Sequence, residues 1–430
     1  MSFDAPPPKR QRIAIVGGGI SGMAAAYKLS PRHDVTLYEA APRLGGHART
    51  KLAGLKGDQP VDTGFIVFNY VNYPHLTRMF HDLDVPVEKS NMSFGATIDE
   101  GRVEYGLQSL GNLFGQRRNA LRPGYLRMIR DILRFNARAE ATATSDDMTI
   151  GELMDELGLG AWFQRYYLMP ICGAIWSSPT QEIRDFPARS LVRFFSNHAL
   201  LSATNQHQWY TVSGGSIQYV TSLERHLRAT GVKLRTATPI SHVKRDADGV
   251  TINAKGGTER FDQVIMACHS DDTLKLLADP SAEETRMLGA IGYQDNRMIL
   301  HRDTDQMPKR RACWSSWVYK ANGSVEAPSI GVTYWMNRLQ NIPEADPLFV
   351  SLNPYKPVRD ALIYDTKTFR HPVFDGPALK AQQEIKAAQG TRNTWFAGAW
   401  LRHGFHEDGF ASAVHVAREI ERSAIESVKV

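Results

Sequence analysis

The sequence predicts an α/β protein in which a nucleotide-binding domain is interrupted by a second domain of mixed α+β character. Three stretches carry this prediction. Near the start, RIAIVGGGISGMAAAYKLSPRHDVTLYEA from Arg12 has the strand, helix, strand pattern of a βαβ unit with a glycine-rich turn. After Gln208, short apolar strands return with turn signals at Asp248-Gly249 and Gly256-Gly257. A last strand and helix start, Trp395 to Ala413, completes the pattern.

Ile13 to Val16 is a β-favouring run, and Gly17, Gly19 and Gly22 follow it in the G-x-G-x-x-G spacing of a Rossmann-type fold. The helix this opens is expected over Ile20–Leu29, ended by Pro31. Gly17 permits the tight turn, Gly19 leaves bare backbone for a pyrophosphate, and Gly22 lets helix and strand pack closely. Free amides at the helix start, with the Ser21 amide and hydroxyl, suit phosphate charge. The next run, Val35 to Tyr38, ends on Glu39, 22 positions after Gly17, where a carboxylate meets a ribose and repels a 2′-phosphate. That argues against NADP.

Arg43-Leu44-Gly45-Gly46-His47-Ala48-Arg49 resembles the R-x-G-G-(R/H) motif of the flavoprotein amine oxidase and phytoene desaturase superfamily. The resemblance implies FAD, with Gly45, Gly46 and a basic residue near its pyrophosphate. Arg43 and Arg49 suit this because a guanidinium pairs two phosphate oxygens at once. Val61-Asp62-Thr63-Gly64-Phe65 resembles the D-x-G segment of the same superfamily, which implies that Gly64 lets backbone approach the flavin ring.

At 430 residues the chain suggests two domains. We expect an FAD-binding domain from 1–75, 205–291 and 383–430, and a substrate domain from 76–204 and 292–382. The first inserted segment reads as helical and aromatic, and the second, with Trp314, Trp317, Tyr334 and Trp335, as a sheet. Trp209 to Gly215 and a helix to about Thr230 resemble the family's re-entry into the FAD domain. Strands are expected at Val232–Leu234, Ile240–Val243, Val250–Ile252 and Phe261–Cys268. The resemblance implies adenine contact from Val243.

The closing segment, Phe396-Ala397-Gly398 and then Gly404-Phe405-His406-Glu407-Asp408-Gly409-Phe410-Ala411, resembles the family's F-A-G strand and flavin-facing helix start. It implies that Gly398 and amides near Gly409, Phe410 and Ala411 lie at the flavin edge, where a helix dipole stabilises an anionic ring. The acid that usually follows F-A-G is replaced by Ala399 and Trp400, so Asp408 or Glu407 is the candidate for its role. The position that carries a cage aromatic in amine oxidases matches His406, with Phe405 before it. No lysine stands in a recognisable flavin N5 context.

Hydrophobic residues at 42% and charged ones at 22% are ordinary for a globular protein. Cys172, Cys268 and Cys313 are scattered and odd in number, so neither a disulfide framework nor a metal site is expected, and a reducing cytoplasm is. No cysteine follows Cys313 to hold a flavin covalently, whereas His47, His403 and His406 leave that route formally open. The polar, Pro-rich start reads as a short disordered leader, and no apolar run reaches transmembrane length. The net charge of +6 is concentrated: seven arginines, Arg117, Arg118, Arg122, Arg127, Arg130, Arg134 and Arg138, face only Asp131 and Glu140 between Gln116 and Glu140. From Tyr125 this reads as a helix with Leu126, Ile129, Ile132, Leu133 and Ala137 inward, suited to an ordinary solvated face, an anionic membrane or an acyl carrier. Without a recognised motif, nucleic acid is excluded.

The whole pattern is similar to a bacterial branch of FAD-dependent oxidoreductases found beside enzymes resembling cyclopropane fatty acid synthases. That resemblance implies a lipid-like substrate and a desaturase or dehydrogenase of a fatty acyl chain, passing hydride to flavin N5. His406 is the leading base and Glu407 the next. His198, His207 and His301 read as structural. The alternatives are an amine or polyamine oxidase and a non-redox flavin isomerase or lipid-binding flavoprotein.

Overall fold

The computed structural model describes residues 10–145, 147–176, 184–197, 201, 207–322 and 329–426. His198, one of the histidines singled out above, lies outside them. Five parallel strands form a central sheet in the order Lys233–Arg235, Asp34–Tyr38, Arg12–Val16, Gln263–Met266, Thr394–Phe396. The inner strands are buried continuously, Ile13 to Val16 and Val35 to Tyr38, as expected of a sheet covered on both faces. Helix Ile20–Leu29 follows the first strand at the expected residues and packs against the last helix, His406–Glu426.

The second sheet has seven strands, in the order Ile363–Pro372, Tyr293–His301, Phe349–Leu352, Ser329–Trp335, Trp317–Asn322, Phe94–Ile98, Val103–Gly106. Its pairs are antiparallel except one: Trp317–Ala321 runs parallel to Phe94–Ile98 and joins the two inserted stretches. The first inserted stretch is therefore not purely helical. After helix Pro74–Asp82 it carries strands Val87–Ser90, Phe94–Ile98 and Val103–Gly106 before its remaining helices begin. Alternation at Phe94 to Ile98 is masked because four of its five residues are buried.

Three other expectations change. The run Phe261–Cys268 splits into two strands, Gly257–Phe261 and Gln263–Met266, in different sheets. The strand beginning at Ile240 extends to Asp246 in a three-stranded antiparallel sheet. The arginine-rich helix, Pro123–Thr142, buries Tyr125, Met128, Phe135 and Ala139, and leaves Leu126 and Leu133 exposed. The large side chains Tyr125, Phe135 and Met128 win the inward face because they bury the most area.

Arg245 pins the three-stranded sheet to helix Ala282–Gly289. Its fully buried guanidinium makes a bidentate pair with Glu284, the second bond at 2.8 Å, and also meets Asp279 at 3.1 Å. Removing one side of such a pair strands a buried charge. Arg245→Ala is expected to cost about 3–5 kcal/mol, read as a lowered urea midpoint against the wild type.

Candidate functional site

One cavity of about 660 Å3 runs from the end of the glycine turn to the seven-stranded sheet. Gly17, Gly19, Ser21, Glu39, Gly46, Gly64 and Gly398 line it, so segments hundreds of residues apart meet where the sequence motifs expect a cofactor. The site sits at the carboxyl ends of the parallel strands, the general position for ligands in such sheets.

The turn is built by contact. Gly17 holds φ +111, and a Cβ on Gly22 would lie 1.8 Å from the Gly17 carbonyl oxygen. Gly19 differs, since a Cβ there would meet nothing within 4 Å. Helix Ile20–Leu29 has no side-chain cap and no acid in its first turn, leaving its positive end open to a ligand's negative charge. Glu39 accepts from the Gly18 and Ala41 amides, both at 2.7 Å, which turns its carboxylate to the cavity with lone pairs to spare for ribose. The donors, the bare backbone and the carboxylate together fit an adenine dinucleotide.

The two guanidinium groups expected near phosphate go elsewhere. Arg43 donates to the Leu44, Ala48 and Gly46 carbonyls and so braces the Gly45-Gly46 loop from behind. Arg49 pairs with Asp365 at 2.5 and 3.1 Å and bonds Thr63, which ties the loop to the seven-stranded sheet. Neither lines the cavity. Val243 is fully buried against the core and takes no part in its wall. Thr238 donates its amide to the Glu39 carbonyl, which brings the start of strand Ile240–Asp246 beside Glu39.

Gly64 is fixed by close approach, since a Cβ would fall 1.9 Å from the His47 carbonyl oxygen. At the opposite wall, Gly404, Phe405 and His406 line the cavity, whereas Asp408, Gly409, Phe410 and Ala411 do not. The reason is helical. The Gly409 amide already bonds the Phe405 carbonyl, so the unspent amides belong to the residues just before it. Asp408 accepts from the His403 and Phe405 amides, Gly409 abuts Ser21 and Ile20, and Phe410 is core.

Of the two candidate catalytic groups, His406 reaches the cavity and Glu407 turns away. Glu407 accepts from the His75 and Leu76 amides, both at 3.0 Å, capping helix Pro74–Asp82. Burial pushes its carboxyl up to about 7. The His406 ring stacks on Phe65 with centroids 4.1 Å apart, and its Nε2 lies 2.6 Å from the Tyr219 hydroxyl. The imidazole Nε2 and that buried hydroxyl share one hydrogen bond, whose direction follows the ring's tautomer. Burial holds His406 down at about 3, so the ring is neutral and a weak base.

Three histidines that motif reasoning did not assign a catalytic role gather on another wall. His47 lies 4.9 Å from Phe369, 5.9 Å from His371 and 6.1 Å from His269. Burial, and repulsion within the cluster, lower His47 to about 3 and His371 to about 4, and burial lowers His269. His269 comes three residues after the end of strand Gln263–Met266, and that strand-end position was the legible signal. Asp271 and Asp272 beside it are engaged by Arg370 and Lys275. His301 is structural, bonded to Ser351 at 2.8 Å. His207 lines a separate polar recess with Glu407 and Arg402.

Residues 20–297 match the sequence profile of the flavin-containing amine oxidoreductases. The chain belongs to this family. Its cofactor is FAD and its class is that of FAD-dependent oxidoreductases. Protoporphyrinogen oxidase 2 of Arabidopsis thaliana is 47% identical over 55 residues, 12% of this chain and 11% of that protein. Carotenoid phi-ring synthase of Streptomyces griseus is 25% identical over 62% of this chain and 54% of its own length. Among solved structures, a fatty acid isomerase from P. acnes superposes with TM-score 0.67 at 14% identity, covering 97% of this chain and 99% of that one. Putrescine oxidase bound to putrescine gives TM-score 0.67 at 14% identity, covering 97% and 100%.

Two outcomes check this geometry. Gly19→Ala is expected to leave the apoprotein's melting temperature unchanged but to lower FAD content after purification, while Gly22→Ala lowers both. His47 and His406 are neutral when folded and protonate near 6.5 when unfolded, so the stability they contribute is present above pH 6.5 and is lost as pH falls toward about 3. Unfolding midpoints should therefore fall across that window, less steeply in His47→Gln.

Proposed function

We propose that this oxidoreductase dehydrogenates a fatty acyl or similar lipid-like chain. The supporting observation is the arm of the cavity beyond Gly64, whose wall includes Phe65, Met92, Phe94, Ile171, Leu352 and Phe369. Among the described lining residues the carboxylates are Glu39, at the nucleotide end, and Asp272, which is held by Arg370 and Lys275. The arm offers aromatic and aliphatic carbon and no unpaired acid among its described lining residues, which suits an uncharged chain.

FAD bound here supplies a hydride acceptor at its N5. The chain's own residues position an unactivated C–H bond and exclude water, which is where the rate advantage for such a substrate arises. His406, stacked on Phe65 and held by Tyr219, keeps a neutral imidazole at the wall. The proton released from the neighbouring carbon passes to His269, a neutral imidazole on the cavity wall whose basicity the adjacent Asp272 and Asp271 support against burial.

A redox-neutral double-bond shift is the second reading, favoured by the similarity to the fatty acid isomerase structure. Anaerobic mixing with dispersed acyl lipids separates the readings. Dehydrogenation bleaches the flavin stoichiometrically and yields product lighter by two hydrogens, whereas isomerisation leaves mass and final colour unchanged. Bleaching by putrescine or other amines, and by no lipid, would refute the acyl reading.

A further inference from the structure

Half of the large hydrophobic side chains exposed among the described residues fall in one short part of the chain: Leu107, Leu110, Leu121, Leu126 and Leu133. Leu121 is 86% exposed and Leu110 76%. Tertiary bonds hold this part together. The Tyr125 hydroxyl donates to the Leu113 carbonyl at 2.6 Å, which joins helix Pro123–Thr142 to the short helix Leu110–Leu113.

The same surface carries cations without matching acids. Arg118 bonds the Gly101 and Arg102 carbonyls, and Arg122 the Arg102 carbonyl and the Asn119 side chain. Their charge is thus fixed in place and uncompensated, and repulsion from Arg118 and Arg102 adds to burial in lowering Arg122. Asp131, the acid of this helix's first two turns and a half, is fully buried and turned to Arg130 and the Gly160 amide. Protruding leucines among fixed guanidiniums match the two layers of an anionic lipid interface: phosphate outside, acyl carbon beneath. An acidic protein partner would satisfy the arginines but gives no account of leucines this far out.

Leu107 and Gln108 belong to this surface and also line the cavity. We infer that residues 107–133 dock on an anionic phospholipid bilayer, with the cavity opening beside Leu107 onto that face. Entry of acyl substrate by this route rests on the function proposed above, while docking does not.

Sedimentation of the holoenzyme with vesicles tests the docking. Vesicles of phosphatidylglycerol and phosphatidylcholine should bind about tenfold or more tightly than phosphatidylcholine alone, and added salt should weaken the binding. L110D/L121D and R117E/R127E variants should each lose about tenfold, with flavin content and melting temperature unchanged. Equal binding to neutral vesicles, native-level binding by both variants, or no vesicle binding beside a tight complex with an acidic acyl carrier protein would overturn the inference. Turnover of detergent-dispersed acyl chains by L110D/L121D reports on the proposed function separately.

Discussion

A single buried carboxylate fixes how the segments of this protein meet. Asp62 is inaccessible to solvent and accepts from the Ser216 amide and hydroxyl, from the Thr50 hydroxyl at 2.6 Å and from the Gln340 side chain at 2.9 Å. Gln340 also accepts from the Asp62 amide at 2.8 Å. Three regions are thereby drawn onto one group: the stretch after the glycine turn, the start of helix Ile217–Ala229 and the second sheet's neighbourhood. Burial pushes Asp62 up to about 6 against the pull of these donors. A charge taken out of water costs several kcal/mol unless its lone pairs are filled, so the arrangement tolerates little drift. Thr63 and Gly64 follow directly, and the Thr63 and Phe65 amides bond the Arg49 and His47 carbonyls. The cavity's middle wall is thus set by a group that does not touch it.

That rigidity matters because the cavity is electrostatically quiet. Its imidazoles are held neutral by burial, and Arg370, the arginine among its described lining residues, is paired with Asp271 and Asp272. In a low-dielectric space the few oriented dipoles that remain act strongly: the helix start at Ile20, the Glu39 carboxylate and the His406 ring. An environment of this kind suits a charged dinucleotide at one end and, at the other, the uncharged chain proposed above.

The sequence announces the parts of the site made of backbone. Gly17, Gly19, Gly22, Glu39, Gly64 and Gly398 are recognisable because turn geometry and close approach demand particular residues at particular spacings. Side chains with long reach are a different matter. Arg49 finds its partner 316 residues away in Asp365, Glu407 its amides at His75 and Leu76, and nothing near them in the chain foretells either. Asp408 and the amides after it were displaced by a few residues because the point where a helix stops having free N–H groups depends on the loop before it. The buried face of helix Pro123–Thr142 went to Tyr125 and Phe135 over the leucines, since periodicity gives a helix its stripes but the neighbouring core chooses among them.

The order of strands in the parallel sheet carries a consequence for biosynthesis. Its last strand, Thr394–Phe396, sits at an edge, and the helix after it packs on Ile20–Leu29, the first helix of the chain. A ribosome releases these partners some 380 residues apart, so the earliest-made element waits through nearly the whole of translation with an apolar flank uncovered. The pairing of Phe94–Ile98 with Trp317–Ala321 imposes a similar delay on the other sheet. The wall of the cofactor cavity, which includes Gly398 and His406, is therefore complete only when synthesis is all but finished.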